Sequence, residues 1–314
     1  MHTASALACS SYATIYVGSL YVLPRIFAWL RRKPCAKHRR RDDPPVIKQR
    51  LVSVCVATVI DLLVTASLIG RTTVLPVKQP FRALHILSLM GLPFPHPTFL
   101  TSRYLPLEPS FPSFVTRLGW IGIKALALTA CMYLGTFFTN ILDKRTRSKR
   151  ASSPDTALAR WRNYVLGPGT EELVFRSCML ATMKSFHPHA SPTWLMLTTP
   201  LYFGIAHLHH AWEMYQAGGY TKRARTNALL TSALQFAYTT VFGWYANFLF
   251  MRTGTVWAPF LAHVLCNMMG LPRLAPFPHA NSAQKAACAC AHLAGLGAFM
   301  YALWPCTSTR MLAT

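Results

Sequence analysis

The chain has 314 residues, of which 52% are hydrophobic and 13% are charged, and its mean hydropathy is +0.27. Soluble proteins carry about 25% charged residues, so this composition excludes an ordinary soluble enzyme and a disordered tail. The net charge is +23, but a nucleic-acid binder would carry such an excess on a polar chain, so no nucleic-acid partner is expected. Nine cysteines without a C-x-x-C spacing exclude a disulfide scaffold. We therefore predict an all-α, polytopic membrane protein.

Eight apolar stretches are long enough, or nearly so, to cross the hydrocarbon core, which takes about 20 helical residues. They predict about eight transmembrane helices in a single domain, 1–314, whose motif-bearing core lies at about 160–272. A further apolar run, 83–92, is too short to span and is predicted to be re-entrant or interfacial. The predicted spans are 4–23, 51–69, 118–142, 165–183, 193–211, 227–251, 256–271 and 286–304.

The connections between these spans differ in their content of Lys and Arg. One set holds 22 of these residues, and the opposite set, of similar total length, holds 8. Because cytosolic loops carry the excess of Lys and Arg, the richer set is predicted to be cytosolic and both chain ends lumenal. Its basic runs, 31–33 and 39–41, are interpreted as topology signals that also contact lipid headgroups. The richer set comprises the connections 24–50, 143–164, 212–226 and 272–285.

Only three carboxylates lie inside the predicted spans, namely Asp61, Glu171 and Glu172. Ionisable groups at membrane depth are costly, so each is a candidate functional residue. Asp61 and Lys124 lie at similar depths from the lumenal ends of the second and third spans. Adjacent antiparallel helices would bring the two together, so we predict a structural ion pair between them.

The two adjacent glutamates cannot serve the same partner, because successive helical residues point 100° apart. Arg176 follows Glu172 by four residues, which is the favourable order for an ion pair on one helix face. This spacing predicts a supporting pair of Glu172 with Arg176 and leaves Glu171 without a cation of its own. A carboxylate of that kind in an apolar setting is suited to act as a general base.

Polar residues of two further spans lie at a similar predicted depth. His207 is in the fifth span, and His263 and Asn267 share one face of the seventh because they are four residues apart. From the cytosolic ends of their spans, Glu171 and these three residues lie about 6–12 Å deep. Independent packing residues would not be expected to share one layer, so the pattern indicates a common site in the cytosolic half of the membrane.

Such a layer is suited to the hydrolysis of an amide bond. A Glu and a His can hold and deprotonate a water molecule, and a His and an Asn can donate hydrogen bonds to a developing oxyanion. A zinc site built from Glu171, His207 and His263 is also chemically allowed. Asn267 would be a poor zinc ligand, which favours the metal-free alternative slightly. A non-catalytic scaffold with the same fold is a further alternative, although it would need none of these side chains.

Three ordered motifs resemble the type II CAAX prenyl endopeptidases. They are TEELVFR (170–176), FGIAH (203–207) and HVLCN (263–267), which match the family pattern E-E-x-x-x-R, F-x-x-x-H and H-x-x-x-N. Flanking segments between 44 and 272, such as WRNYVLGPGTEELVFRSCML, are similar to the eukaryotic Ras-converting members. The run Gly167–Pro168–Gly169 is unfavourable for a helix and leaves the start of the fourth helix open.

The resemblance implies an intramembrane protease of the endoplasmic reticulum with its active site facing the cytosol. Its substrates would be farnesylated or geranylgeranylated CAAX proteins, such as Ras-like small GTPases, from which it removes the last three residues. Carried over to this chain, the pattern implies that Glu171 and His207 activate the water, that His263 and Asn267 form the oxyanion site, and that no metal or other cofactor takes part. Glu172 and Arg176 would be supporting, which agrees with their spacing.

Overall fold

A computed structural model of the protein describes residues 2–30, 42–72, 82–93, 111–142, 156–274 and 280–307. All regular secondary structure in these residues is helical. Two π-helical segments, π1 (Arg162–Leu166) and π2 (Leu173–Cys178), join α6, α7 and α8 into one continuous helical run. The α-helices are α1 His2–Leu30, α2 Pro44–Thr72, α3 Arg82–Leu89, α4 Phe111–Met132, α5 Leu134–Leu142, α6 Ala157–Trp161, α7 Gly167–Glu172, α8 Met179–Phe186, α9 Pro192–Thr198, α10 Pro200–Ala206, α11 His209–Ala217, α12 Lys222–Thr253, α13 Trp257–Met269 and α14 Ser282–Thr307.

Four helices in the described part of the chain, α1, α2, α4 and α14, are long and apolar enough to cross a membrane. They agree with the predicted all-α membrane protein, whereas the count of eight spans is not confirmed. The predicted span 193–211 is divided among α9, α10 and α11, and the first two of these begin at prolines, which lack the N–H that would continue a preceding helix. The predicted span 256–271 contains α13, which has only 13 residues.

The short apolar run 83–92 contains α3, a helix of eight residues that packs against α2. Eight helical residues extend about 12 Å, which is less than half of the hydrocarbon core. The basic runs 31–33 and 39–41 and most of the connection 70–117 lie outside the described residues.

Helix α1 fixes the position of the run that carries the two glutamates. The hydroxyl of Tyr12 lies 3.0 Å from that of Thr182, and the hydroxyl of Tyr16 lies 2.8 Å from that of Thr170. All four side chains are buried, and the two tyrosines belong to a hydrophobic core that includes residues of π2, α8 and α10. Buried hydroxyls need such partners, so these pairs specify the register of α1 on this run.

Helix α10 approaches α12 closely because Gly204 has no side chain. A Cβ atom at this position would lie 2.6 Å from Oγ1 of Thr240, which is shorter than a van der Waals contact. At the start of α10 the Asn247 side chain of α12 donates to the hydroxyl of Thr199 at 2.7 Å and to the Met196 carbonyl at 3.2 Å. These contacts hold the helix that immediately precedes His207.

The predicted ion pair of Asp61 with Lys124 is wrong. Asp61 is fully buried where α2 packs against α1 and π2, and neither of its carboxylate oxygens has a hydrogen-bond partner among the described residues. Lys124 is exposed on α4, which packs chiefly against α13 and α14. A similar predicted depth in the membrane does not make two helices neighbours. Here α2 and α4 belong to different parts of the bundle.

Candidate active site

The glutamate-bearing segment is helical throughout, including the Gly167–Pro168–Gly169 run that left the start of the fourth helix open. The N–H of Gly167 donates to the carbonyl of Arg162, five residues earlier, so a π-helical turn takes the chain into α7. Pro168 lies in the first turn of α7, where a missing N–H is tolerated. The helix therefore reaches Glu171 and Glu172 without a break, although the turns on either side are widened.

Gly167 is required by the π1 turn, because a Cβ atom there would lie 2.6 Å from the Arg162 carbonyl oxygen. We expect Gly167→Ala to lower the free energy of unfolding by about 1–3 kcal/mol, as overpacking does. Gly169→Ala is the matched control, since its Cβ atom would make an ordinary 3.7 Å contact with Phe260. The control is expected to match or exceed the thermal midpoint of the unmodified protein, because alanine favours helix. Equal midpoints for both variants would contradict the requirement.

The structure contains the predicted pair of Glu172 and Arg176. Nη1 of Arg176 lies 3.1 Å from Oε1 of Glu172, and both side chains are almost completely buried. The contact lacks hydrogen-bond geometry, and no nitrogen of the guanidinium has a hydrogen-bond partner among the described residues. The guanidinium instead lies over the rings of Phe203 and Phe242, with its Cζ atom 4.6 and 5.6 Å from their centroids. Charge and cation–π attraction therefore hold it.

His263 lies between the two glutamates. Its Nδ1 is 2.7 Å from Oε1 of Glu172, and its Nε2 is 3.7 Å from Oε2 of Glu171. Since a carboxylate oxygen accepts, the short contact assigns the hydrogen to Nδ1 and directs Nε2 towards Glu171. This contact was not predicted from the sequence, in which the spacing pairs Glu172 with Arg176 alone and places His263 on the same face as Asn267.

His207 lies at the C-terminal end of α10 and lines a cleft together with Glu171. Its Nδ1 donates to the carbonyl of Phe203 at 2.7 Å, which leaves the Nε2 lone pair as the acceptor of the ring. The cleft has a volume of about 120 Å³. Its polar lining also includes Arg50, Arg162, His209 and His210, and its apolar wall includes Val17, Leu20, Leu51 and Val54.

Neither His263 nor Asn267 lines this cleft. Asn267 is exposed, and its amide nitrogen donates to the backbone carbonyl of Asn163 at 2.9 Å. An amide nitrogen carries two hydrogens, so one N–H of Asn267 is left for another acceptor. The structure thus brings Glu171 together with His207 in the cleft and with His263 beside it, whereas Asn267 is turned towards π1.

Phe203 contacts several of these residues, and the sequence analysis gave it no role. Its buried ring lies 4.6 Å from the ring of His207, 6.3 Å from that of His263 and 4.8 Å from that of Phe175, and it also supports Arg176. Phe203 is the first residue of the F-x-x-x-H motif, and this motif was the signal in the sequence that could have identified its role. A lone aromatic residue in an apolar helix does not reveal that it touches three polar residues from different parts of the chain.

The cleft rim carries a group of residues that could hold a metal ion, although it differs from the zinc site considered above. One possible ligand atom from each of His209, His210 and Glu213 lies within 4.8 Å of the others. No such group within the described ranges combines Glu171 with both His207 and His263. Glu213 is also engaged by Arg50, whose Nη2 lies 2.6 Å from Oε1.

Comparison with known proteins places this site in a family. Residues 153–269 match the family model of the type II CAAX prenyl endopeptidases, Rce1-like. The chain is 33% identical to CAAX prenyl protease 2 of Homo sapiens, over 98% of this chain and 82% of the relative. It is 32% identical to the protein of that name in Arabidopsis thaliana, over 96% and 89% of the two chains.

A third relative, CAAX prenyl protease 2 of Saccharomyces cerevisiae, is 30% identical over 82% of this chain and 78% of the relative. No solved structure gives a significant match. The matched residues 153–269 contain the whole helical run of the glutamates, together with His207, His263 and Asn267. The chain belongs to the type II CAAX prenyl endopeptidases and is an all-α membrane protease.

Proposed function

We propose that this protease removes the last three residues of prenylated CAAX proteins by a water molecule that Glu171 and His207 activate. The observation that carries the proposal is the placing of these two side chains in one cleft. The human, plant and yeast relatives are named CAAX prenyl proteases, which supports the substrate class. Farnesylated or geranylgeranylated Ras-like small GTPases are the substrates proposed here.

The cleft combines the two surfaces that such a substrate needs. Four aliphatic side chains of α1 and α2 form an apolar wall, while Glu171 and His207 lie at the polar side. The lipid around the prenyl group is as apolar as this wall, so the isoprenoid chain can move onto the wall without exposure to water. The peptide beyond the prenylated cysteine would then extend past the two polar side chains. The wall is formed by Val17, Leu20, Leu51 and Val54.

In the proposed reaction, Glu171 and the Nε2 atom of His207 bind one water molecule and take its proton as its oxygen attacks the scissile carbonyl carbon. The tetrahedral oxyanion then forms, the C–N bond breaks, and the proton passes to the amine of the leaving tripeptide. The proposed donors to the oxyanion are the second N–H of Asn267 and Nε2 of His263, which carries a hydrogen only when the imidazole is doubly protonated. Glu172 supports this role, because its 2.7 Å contact with Nδ1 fixes the imidazole.

We also propose that the protein lies in the endoplasmic reticulum membrane with the site facing the cytosol and open to lipid. The excess of Lys and Arg in the connections 24–50 and 143–164 supports this orientation. Arg50 and Arg162 line the cleft and lie in or beside these connections. A site on this face would meet substrates whose prenyl group is already inserted in the cytosolic leaflet.

The substrate class is tested with two CAAX-ended peptides, one farnesylated and one unmodified, and membranes that contain the protein. Release of the terminal tripeptide is expected from the farnesylated peptide alone. Equal release from both peptides would contradict the role of the apolar wall. No release from either peptide by folded protein would favour the non-catalytic scaffold.

Chelation tests the metal-free mechanism. We expect 1,10-phenanthroline or EDTA to leave the rate of tripeptide release within about twofold of the untreated value, because no zinc-bound hydroxide is needed. A metalloprotease assayed in parallel controls for the effectiveness of the chelator. Loss of release that zinc ions restore would replace this mechanism with a metal-dependent one.

A further inference from the structure

The cleft is lined by two arginines that have no part in the proposed hydrolysis. The side chains of Arg50 and Arg162 are only 20% and 18% exposed, and both lie on the cleft that contains Glu171 and His207. A guanidinium at the edge of a peptide-binding cleft is suited to a carboxylate, which its planar fork binds with two parallel hydrogen bonds. The partners of the two arginines show which of them is suited to a ligand.

Arg50 is held by a half-buried carboxylate. Glu213 receives its guanidinium at 2.6 Å and the hydroxyl of Tyr21 at 3.1 Å, and it contacts His210 at 3.4 Å. Burial raises the pKa of Glu213, but the hydrogen bonds from His210 and Arg50 lower it by more. The pKa of Glu213 therefore lies below its ordinary value. Glu213 therefore stays charged and neutralises Arg50.

One partner of Arg162, Asp42, is easily exchanged. Its Nη2 lies 2.9 Å from Asp42, whose side chain is 75% exposed. An ion pair with so exposed a partner contributes little, because water solvates the carboxylate almost as well. Nε of Arg162 donates to Oδ1 of Asn163 at 2.9 Å, which orients the guanidinium independently of Asp42. A second carboxylate can therefore replace Asp42 without a new orientation of Arg162.

The distance from Arg162 to the proposed reaction site suits a tripeptide. Arg162 precedes Glu171 by nine residues on one continuous helical run, which is about 13 Å along its axis. Three extended residues span about 10 Å, and the arginine side chain supplies the remaining reach. The π1 turn lies between the two residues, and both side chains line the same cleft.

We propose that Arg162 binds the C-terminal α-carboxylate of the substrate and thereby determines which peptide bond is cleaved. This inference rests on the proposed function. The scissile bond is selected by its distance from the chain end, since the carboxylate is held at Arg162 while the carbonyl three residues away lies beside Glu171. In a substrate with more than three residues after the prenylated cysteine, the C-terminal carboxylate would lie beyond the guanidinium.

The test compares two farnesylated peptides that differ only at the C terminus, one a free acid and the other an amide. The unmodified protein is expected to cleave the acid at least about tenfold better in kcat/KM, because the amide forfeits a charge-assisted pair. In Arg162→Gln the two peptides are expected to be cleaved equally, because the acid has lost the cation that distinguished it from the amide. Arg160→Gln, two residues away and exposed on α6, removes the same charge and is expected to retain the preference.

A second variant tests the exchange of partners without disturbing the cleft. Asp42→Asn removes the competing carboxylate from an exposed position, so KM for the acid is expected to fall about twofold and KM for the amide to stay unchanged. Equal cleavage of acid and amide by the unmodified protein would overturn the inference while leaving the proposed function intact. A preference that persists in Arg162→Gln would also overturn it. Failure of the unmodified protein to cleave either peptide would instead contradict the proposed function.

Discussion

Glu171→Gln is expected to reduce tripeptide release from a farnesylated CAAX peptide by about a thousandfold or more, because a general base typically contributes a factor of 10²–10⁴. Glutamine retains the shape of the side chain and its ability to orient water, but its amide cannot take a proton. The measurement is kcat at saturating peptide, with protein concentration determined from the folded fraction in detergent. His207→Gln is expected to lose activity to a similar degree, since it removes the other proposed contact to the water.

The fold is expected to tolerate the change at Glu171. Its side chain is 24% exposed and lines the cleft, and its contact with Nε2 of His263 is long, at 3.7 Å. Replacement by glutamine therefore leaves no buried cation without a partner, and the thermal midpoint should remain that of the unmodified protein. Full activity in Glu171→Gln would remove this residue from the mechanism. Loss of activity with an equal loss of folded protein would show a structural role instead.

The sequence was sufficient to predict the contacts that lie within one helix. The pair of Glu172 with Arg176 follows from a spacing of four residues and is present at 3.1 Å. Local geometry determines such a pair, so it does not depend on knowing which helices are adjacent. The prediction that the two glutamates cannot serve the same partner is wrong, because His263 of α13 contacts Glu172 at 2.7 Å and Glu171 at 3.7 Å.

Contacts between helices were beyond the reach of the same argument. The approach of His263 to Glu172 at 2.7 Å and the burial of Asp61 away from Lys124 depend on the arrangement of the bundle. Hydropathy and depth constrain the height of a residue in the membrane but not its position around the bundle. The role of Phe203 was missed for the same reason, because its contacts come from α10, π2 and α13.

The π-helical turns were also not predicted, since hydrophobic patterns are interpreted with the α-helical period of 3.6. A Gly–Pro–Gly run ordinarily indicates the end of a helix. Here Gly167 permits a carbonyl contact that a Cβ atom would block, and the helix passes through the run. The widened π1 turn, which lies between Arg162 and Glu171, changes the direction of one side chain relative to the other, and both side chains line the cleft.

Glu172→Gln is expected to destabilise the protein by about 3–5 kcal/mol, the usual cost of removing one partner of a buried ion pair. Arg176 is 1% exposed and would keep its charge next to a neutral amide, supported by the rings of Phe203 and Phe242. The carbonyl oxygen of the new glutamine can still accept from Nδ1 of His263, so the variant isolates the effect of charge from that of the hydrogen bond. The measurement is the thermal midpoint in detergent, compared with that of Glu171→Gln.

The double variant Glu172→Gln/Arg176→Met separates charge imbalance from loss of packing. Methionine fills a similar volume and packs well against the two aromatic rings, and apolar replacement of a buried pair is often neutral. The double variant is therefore expected to be more stable than Glu172→Gln alone and to recover most of the lost free energy. If its midpoint is no higher than that of the single variant, the uncompensated guanidinium is not the cause of the instability. Because His263 keeps its acceptor, we expect the double variant to retain more peptide cleavage than Glu171→Gln, which would assign Glu172 and Arg176 to support of the site and not to the chemistry.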